Sequence, residues 1–235
     1  MASKRILAGM AALVAAVACA QTEQAPDDGP DGNPIVRDFY TADPAALAHD
    51  GRLHIFTGRD EAPATTADFV MREWHAFSTD APAPDPDAWE HHGALLTLDD
   101  FAWADANAWA SEVVRGPDGR FYWFVSTRWA EAPRDGDRMS IGVAVADEVL
   151  GPYTDAIGGP LVQGTMENAS SHNIDPTVLL ADDGIYMYWG SFWSPRFVRL
   201  GESMTELEGE IRTPEGLDGF WEAPWLLERD GVYYM

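Results

Sequence analysis

Three acidic residues occupy one place in a repeated string. Aligned on its Asp-Gly pairs at Asp50, Asp118, Asp183 and Asp230, the 235-residue chain reads ADPAALAHDGRLHIFTG, WASEVVRGPDGRFYWFV, IDPTVLLADDGIYMYWG and EAPWLLERDGVYYM. Seven or eight residues before each turn aspartate stand Asp43, Ala110, Asp175 and Glu222, and Pro44, Pro176 and Pro224 follow the three acids at once or one residue later. Taken singly, an Asp-Pro pair reads as a loop cap that accepts backbone hydrogen bonds. The shared position in three repeats predicts instead that three carboxylates converge on one pocket. Like charges in a low-dielectric pocket push at least one carboxyl pKa upward, so one acid stays protonated near neutral pH while an ionised partner activates water. Cleavage of a glycosidic bond is the standard use of such a pair; a separation of roughly 6.5–9.5 Å admits the attacking water and gives inversion.

The neighbouring aromatics agree with a sugar, since flat rings suit the C–H faces of a pyranose or furanose. FAWADANAWA, residues 101–110, carries Trp103, Asn107 and Trp109 to the start of the second string, and Trp221 and Trp225 flank Glu222. His172 stands three residues before Asp175, where it could line the same pocket. Trp103, Asn107, Trp109, His172 and Trp221 are therefore the substrate-binding candidates. No metal site is predicted: no two histidines have helical zinc spacing, and DAPAPDPD (residues 80–87) lacks the calcium-loop pattern. A nucleophile elbow and a phosphate-binding glycine loop are both missing.

The elements that must position these residues are strands. Asp-Gly between apolar runs is a hairpin signal, because tight primed turns need positive φ and glycine supplies it without steric cost. Each string is thus a short strand, a turn and a second strand rich in aromatic and β-branched residues. Further strand-like runs, WHAFSTD, GALLTL, SIGVAVADEVLGPYT, GGPLV and RFVRLGES, lie between the strings. About four strands per repeat is the signature of a β-propeller blade. A sandwich of unrelated hairpins leaves the recurring string unexplained. The expected fold is all-β, a propeller of which about three and a half blades are present. Because the fourth string stops at Met235 after half a blade, the chain is expected to be a piece of a longer protein.

Charge and the N-terminus bound the partners. With 15 basic and 39 acidic residues the formal charge is −24, which repels nucleic acid and anionic membrane. MASKRILAGMAALVAAVACA has the basic start, apolar run and small-residue end of a signal peptide over residues 1–20, too short to span a bilayer. Cleavage after Ala20, or lipidation of Cys19 in a lipobox-like AVAC, both predict export to the periplasm or the outside, with membrane attachment only in the lipidated case. Cys19 is the one cysteine, so no intrachain disulfide forms. The polar, Pro/Gly-rich residues 21–33 read as a disordered linker, leaving 34–235 as the propeller domain.

At these residues the sequence resembles glycoside hydrolase family 43, the five-bladed propeller enzymes that attack xylans and arabinans. NPIVRDFYTADPAAL, FTGRDE, FAWADANAWA, IGVAVADEVLGPYTDA, IDPTVLL and EAPWLLERDGVYY occur in that family's order. The resemblance implies Asp43 as general base, Asp175 as the residue that tunes and orients the acid, and Glu222 as general acid of an inverting mechanism. It further implies terminal β-xylosyl or α-L-arabinofuranosyl linkages in arabinoxylan or in xylo- and arabino-oligosaccharides as substrates. No cofactor is expected in this chain; the complete propeller could hold a structural calcium ion. Ala223 stands beside the acid where glycine is usual. The competing reading is a non-catalytic carbohydrate-binding propeller fragment, from which three converging carboxylates would discriminate an enzyme.

Overall fold

The structure, a computed structural model, describes residues 34–63, 65–66, 68–80 and 86–235. The predicted signal peptide, Cys19, the whole of the linker and part of DAPAPDPD lie outside the described residues.

The described chain forms three sheets and a hairpin. Blade one runs β1 (Tyr40–His49), β2 (Arg52–Asp60), β3 (Met71–Thr79) and β4 (Glu90–Thr97), paired antiparallel in that order. In blade two a short β5 (Ala104–Ala106) precedes β6 (Ser111–Arg115), β7 (Phe121–Trp129) and β8 (Met139–Ala146), and the two-residue strands β9 (Thr154–Asp155) and β10 (Val162–Gln163) complete its outer edge against β8. Both β5 and β6 pair with β7. Blade three is β11 (Thr177–Ala181), β12 (Gly184–Trp189), β13 (Arg196–Leu200) and β14 (Leu207–Arg212), and blade four is represented by the hairpin β15 (Leu227–Arg229) and β16 (Val232–Tyr234). The architecture is that of the expected propeller, with β1, β6, β11 and β15 as innermost strands.

Each blade must be apolar on both faces, and β7 shows how the sequence does this. Its FYWFV run alternates by the two-residue period of a strand. Phe121, Trp123 and Val125 enter a core shared with Phe56, Trp74 and Leu96 of blade one. Tyr122 and Phe124 point the other way, into a core with Val178, Met187, Trp189 and Val198 of blade three. A side chain of this size is stabilised by about 1.5–3 kcal/mol on full burial, so the two cores hold neighbouring blades in fixed register.

The Asp-Gly turns differ in detail. Asp50-Gly51 and Asp230-Gly231 both carry two positive φ values, 47° and 78°, then 55° and 75°, as a primed turn requires. At Asp183 the expected register is off by one: Ala181 pairs with Gly184, so Asp182 and Asp183 form the turn and Gly184 is already strand. The third run of blade one, the run after the second string and RFVRLGES become β3, β8 and β13. β14 carried no sequence signal.

Candidate active site

The four inner strands enclose at this end one cavity of about 180 Å³, lined by Asp43 and Pro44 at the bulge of β1, Ser111 and Glu112 of β6, Asp175 and Pro176 before β11, and Ala223 to Trp225 before β15. The residue that precedes each proline has a left-handed backbone: φ is 53° at Asp43, 61° at Asp175 and 54° at Ala223. Such residues are strained by about 1–3 kcal/mol and persist where surrounding structure over-determines them. In β1 the strain coincides with a bulge between Ala42 and Ala45. In blade four the left-handed residue follows Glu222, so aligned on proline the third acid sits one place earlier than the two aspartates.

Asp175 is the most tightly held of the three. Its amide N–H donates to Ser126 Oγ at 2.8 Å, its carboxylate accepts the hydroxyl of the fully buried Ser191, and it also accepts the backbone N–H of Ala223. Burial, then the charges of Asp43 and Glu222, push its carboxyl up to about 6 in spite of those donors. Gly190, with φ 105°, places Ser191, and a Cβ on it would run into the carbonyl oxygen of Ser194. Asp43 is also raised, by desolvation of its carboxyl first and by the charge of Glu222 second. Asp43 and Asp175 thus line the cavity and Glu222 acts on both by its charge, but Glu222 is not itself a lining residue, so two of the three expected carboxylates meet in this pocket.

Glu222 itself is exposed, on a segment pinned from both sides. Trp193 N–H donates to the carbonyl of Trp221 at 3.1 Å, and Ala223 N–H is held by Asp175. Beside the acid lies an aromatic cluster. Trp221 meets Trp193 edge-on at 4.3 Å between centroids and Phe192 at 5.0 Å, and His172 packs on Phe192 at 4.7 Å. Among the substrate-binding candidates, Trp221 and His172 are therefore brought to the acid's side of the site.

The other three are not brought together there. Trp103 is 8% exposed in the core between blades one and two, its indole N–H on Asp155 Oδ2 at 2.8 Å and its ring packed on Gly142. Trp109 is half-buried against the same core, with its carbonyl accepting the Trp74 indole N–H at 2.7 Å. Asn107, with φ 69°, lines a separate cleft of about 570 Å³ with Met71, Glu73 and Asp105. In this segment burial of indole rings outweighs their display, because blades one and two need filling.

Three residues at the site carried no sequence reading: Ser126, Ser191 and Glu112. A glutamate inside the apolar SEVV of β6 was the available signal. Glu112 is 6% exposed, and burial pushes its carboxyl up to about 7 against the pull of three hydrogen-bond donors. Among the described residues no group of three or more His, Cys, Asp and Glu is arranged to hold a metal ion.

Comparison with known proteins places this geometry. The model for glycosyl hydrolases family 43 matches residues 32–235. A β-D-galactofuranosidase of Aspergillus niger is 34% identical, with 86% of this chain aligned to 57% of that protein. Xylosidase/arabinosidase 43A of Humicola insolens is 28% identical over 86% of this chain and 73% of its own length. The crystal structure of the GH43_1 enzyme from Xanthomonas citri complexed with xylotriose superposes with a TM-score of 0.68 at 29% identity, covering 85% of this chain and 67% of that one. The chain thus spans between about half and three quarters of the length of these relatives.

Proposed function

Because the chain belongs to glycosyl hydrolases family 43, we propose that the protein hydrolyses terminal β-xylosyl or α-L-arabinofuranosyl linkages of xylan- and arabinan-type saccharides by a single, inverting displacement. The observation that carries this reading is the meeting of Asp43 and Asp175 on one cavity with the charge of Glu222 acting on both. In the proposed reaction Glu222 gives its proton to the leaving glycosidic oxygen. Asp43 takes a proton from the water that attacks the anomeric carbon from the opposite face. Asp175 does not touch the reacting atoms; through Ala223 N–H it fixes the segment that carries the acid. The protein is further proposed to be exported, as its N-terminal residues suggest.

The test is hydrolysis by the full-length natural protein of aryl β-D-xyloside, aryl α-L-arabinofuranoside and aryl β-D-galactofuranoside, the last suggested by the Aspergillus niger relative. Asp43→Ala or Glu222→Ala is expected to lower turnover by about 100- to 10,000-fold. Proton NMR of the first-formed sugar should show the inverted anomer. Unchanged turnover in both variants would overturn the assignment, and a retained anomer would overturn the single displacement.

A further inference from the structure

We propose that Glu112 is a positioning residue for the acid: its two carboxylate oxygens lock the start of blade four's inner strand onto blade three, and so fix where Glu222 stands. The inference rests on the acid role proposed for Glu222. Oε2 of Glu112 accepts the Val178 N–H at 2.6 Å, and Oε1 accepts the Thr177 hydroxyl at 3.3 Å and the Trp225 indole N–H at 3.1 Å. The same Thr177 oxygen accepts the Leu226 N–H at 3.2 Å. One side chain of blade two therefore gathers donors from blades three and four, up to 113 residues away in sequence.

The burial of this carboxylate is otherwise hard to account for. No cation pairs with it among the described residues, and an unpaired buried charge is costly unless hydrogen bonds satisfy it. Val178 N–H belongs to an innermost strand, whose axis-facing donors have no further strand to meet; Glu112 supplies the acceptor. Only a carboxylate fits the donor set. A glutamine offers one acceptor oxygen, and its amide N–H₂ would face either Val178 N–H or the Trp225 indole N–H, donor against donor. An aspartate is one methylene too short to reach both strands at once.

The link to chemistry is short. Between Glu222 and Trp225 lie Ala223, held by Asp175 and left-handed, and Pro224, whose ring fixes φ. With Trp221 held by Trp193, Trp225 is the downstream anchor of a stiff five-residue segment. Releasing Trp225 lets that segment shift, and proton transfer depends on sub-ångström placement of the acid.

The experiment uses the full-length natural protein with Glu112→Gln, and Trp225→Phe as a second variant that removes only the indole donor. Turnover is measured on unactivated xylo- and arabino-oligosaccharides and on the matching dinitrophenyl glycosides, whose leaving groups need little protonation. Both variants are expected to lose about tenfold or more in kcat on the oligosaccharides, a few-fold at most on the dinitrophenyl glycosides, and to leave KM nearly unchanged. The double variant should lose little more than either single one. Equal losses on both substrate classes, or none in folded Trp225→Phe, overturn the positioning role. Glu222→Gln is run alongside: if it shows the leaving-group dependence and Glu112→Gln does not, only the present inference fails. If Glu222→Gln shows none, the acid assignment falls and this inference with it.

Discussion

A hydroxyl of blade two holds a catalytic candidate of blade three: Ser126 Oγ accepts the amide N–H of Asp175 at 2.8 Å while donating to the Ala110 carbonyl at 2.7 Å. Ser126 is fully buried. It braces the left-handed residue at the point where the chain turns into β11. Ser126→Ala leaves that N–H without an acceptor in a place where water does not compensate, which costs about 1–3 kcal/mol. The expected outcome is a lower unfolding temperature together with a loss of turnover, measured by calorimetry and by hydrolysis of an oligosaccharide. A variant that melts with the wild type would remove Ser126 from the support of the site.

Asp175 also makes stability depend on pH. Its carboxyl lies near 6 when folded and at 3.8 when unfolded, so the folded chain binds the proton more tightly. The contribution is fully present below about pH 3.8 and is lost as pH rises through about 6, a swing on the order of 3 kcal/mol. Asp175→Asn removes the charge that is costly above pH 6. Relative to wild type, the variant should therefore gain several degrees in unfolding temperature between pH 4 and pH 8, while losing activity throughout. A difference in unfolding temperature that stays flat across that range would show that this carboxyl is not the one titrating.

What the sequence made legible was local. Hairpin chemistry at Asp50 and Asp230 is written in two adjacent residues, and counting back from the turn aspartates at 50, 183 and 230 gives Asp43, Asp175 and Glu222. At Asp183 the turn is displaced by one residue, while Asp175 keeps its place just before β11, because the strand start and not the turn sets its position. Glu112 was missed for the opposite reason. Its partners lie 65 to 113 residues away, and counting back from Asp118 reaches Ala110, so the repeat marks no acid in blade two. Trp103 and Trp109 fit a sugar platform by composition alone. Which face of a blade a tryptophan takes depends on how much space the adjacent blade leaves, and neither residue's string encodes that. The alanine at 223, where the resemblance suggests glycine, acquires a physical meaning only with φ 54° in view.

The aromatic cluster beside Glu222 leads to a prediction about binding. Trp193 is 69% exposed and Trp221 46% exposed, with Phe192 and Trp193 both left-handed at φ 53° and 61°. Exposing these two indoles, one of them on a strained loop, brings no gain in folding, whereas each ring offers a flat face next to the acid. The edge-on contact of Trp193 with Trp221 fixes the angle between those faces. Trp193→Ala removes one face and the support of the other; aromatic contacts of this kind contribute about 0.5–1.5 kcal/mol, or roughly two- to tenfold in affinity. KM for xylo- or arabino-oligosaccharides should therefore rise by that factor, with kcat changed less, and Trp193→Phe should restore most of it. Since β12 and β13 meet in a ladder that does not include Trp193, the unfolding temperature should move little. An unchanged KM in Trp193→Ala, or an equal defect in Trp193→Phe, would place the sugar elsewhere on this face.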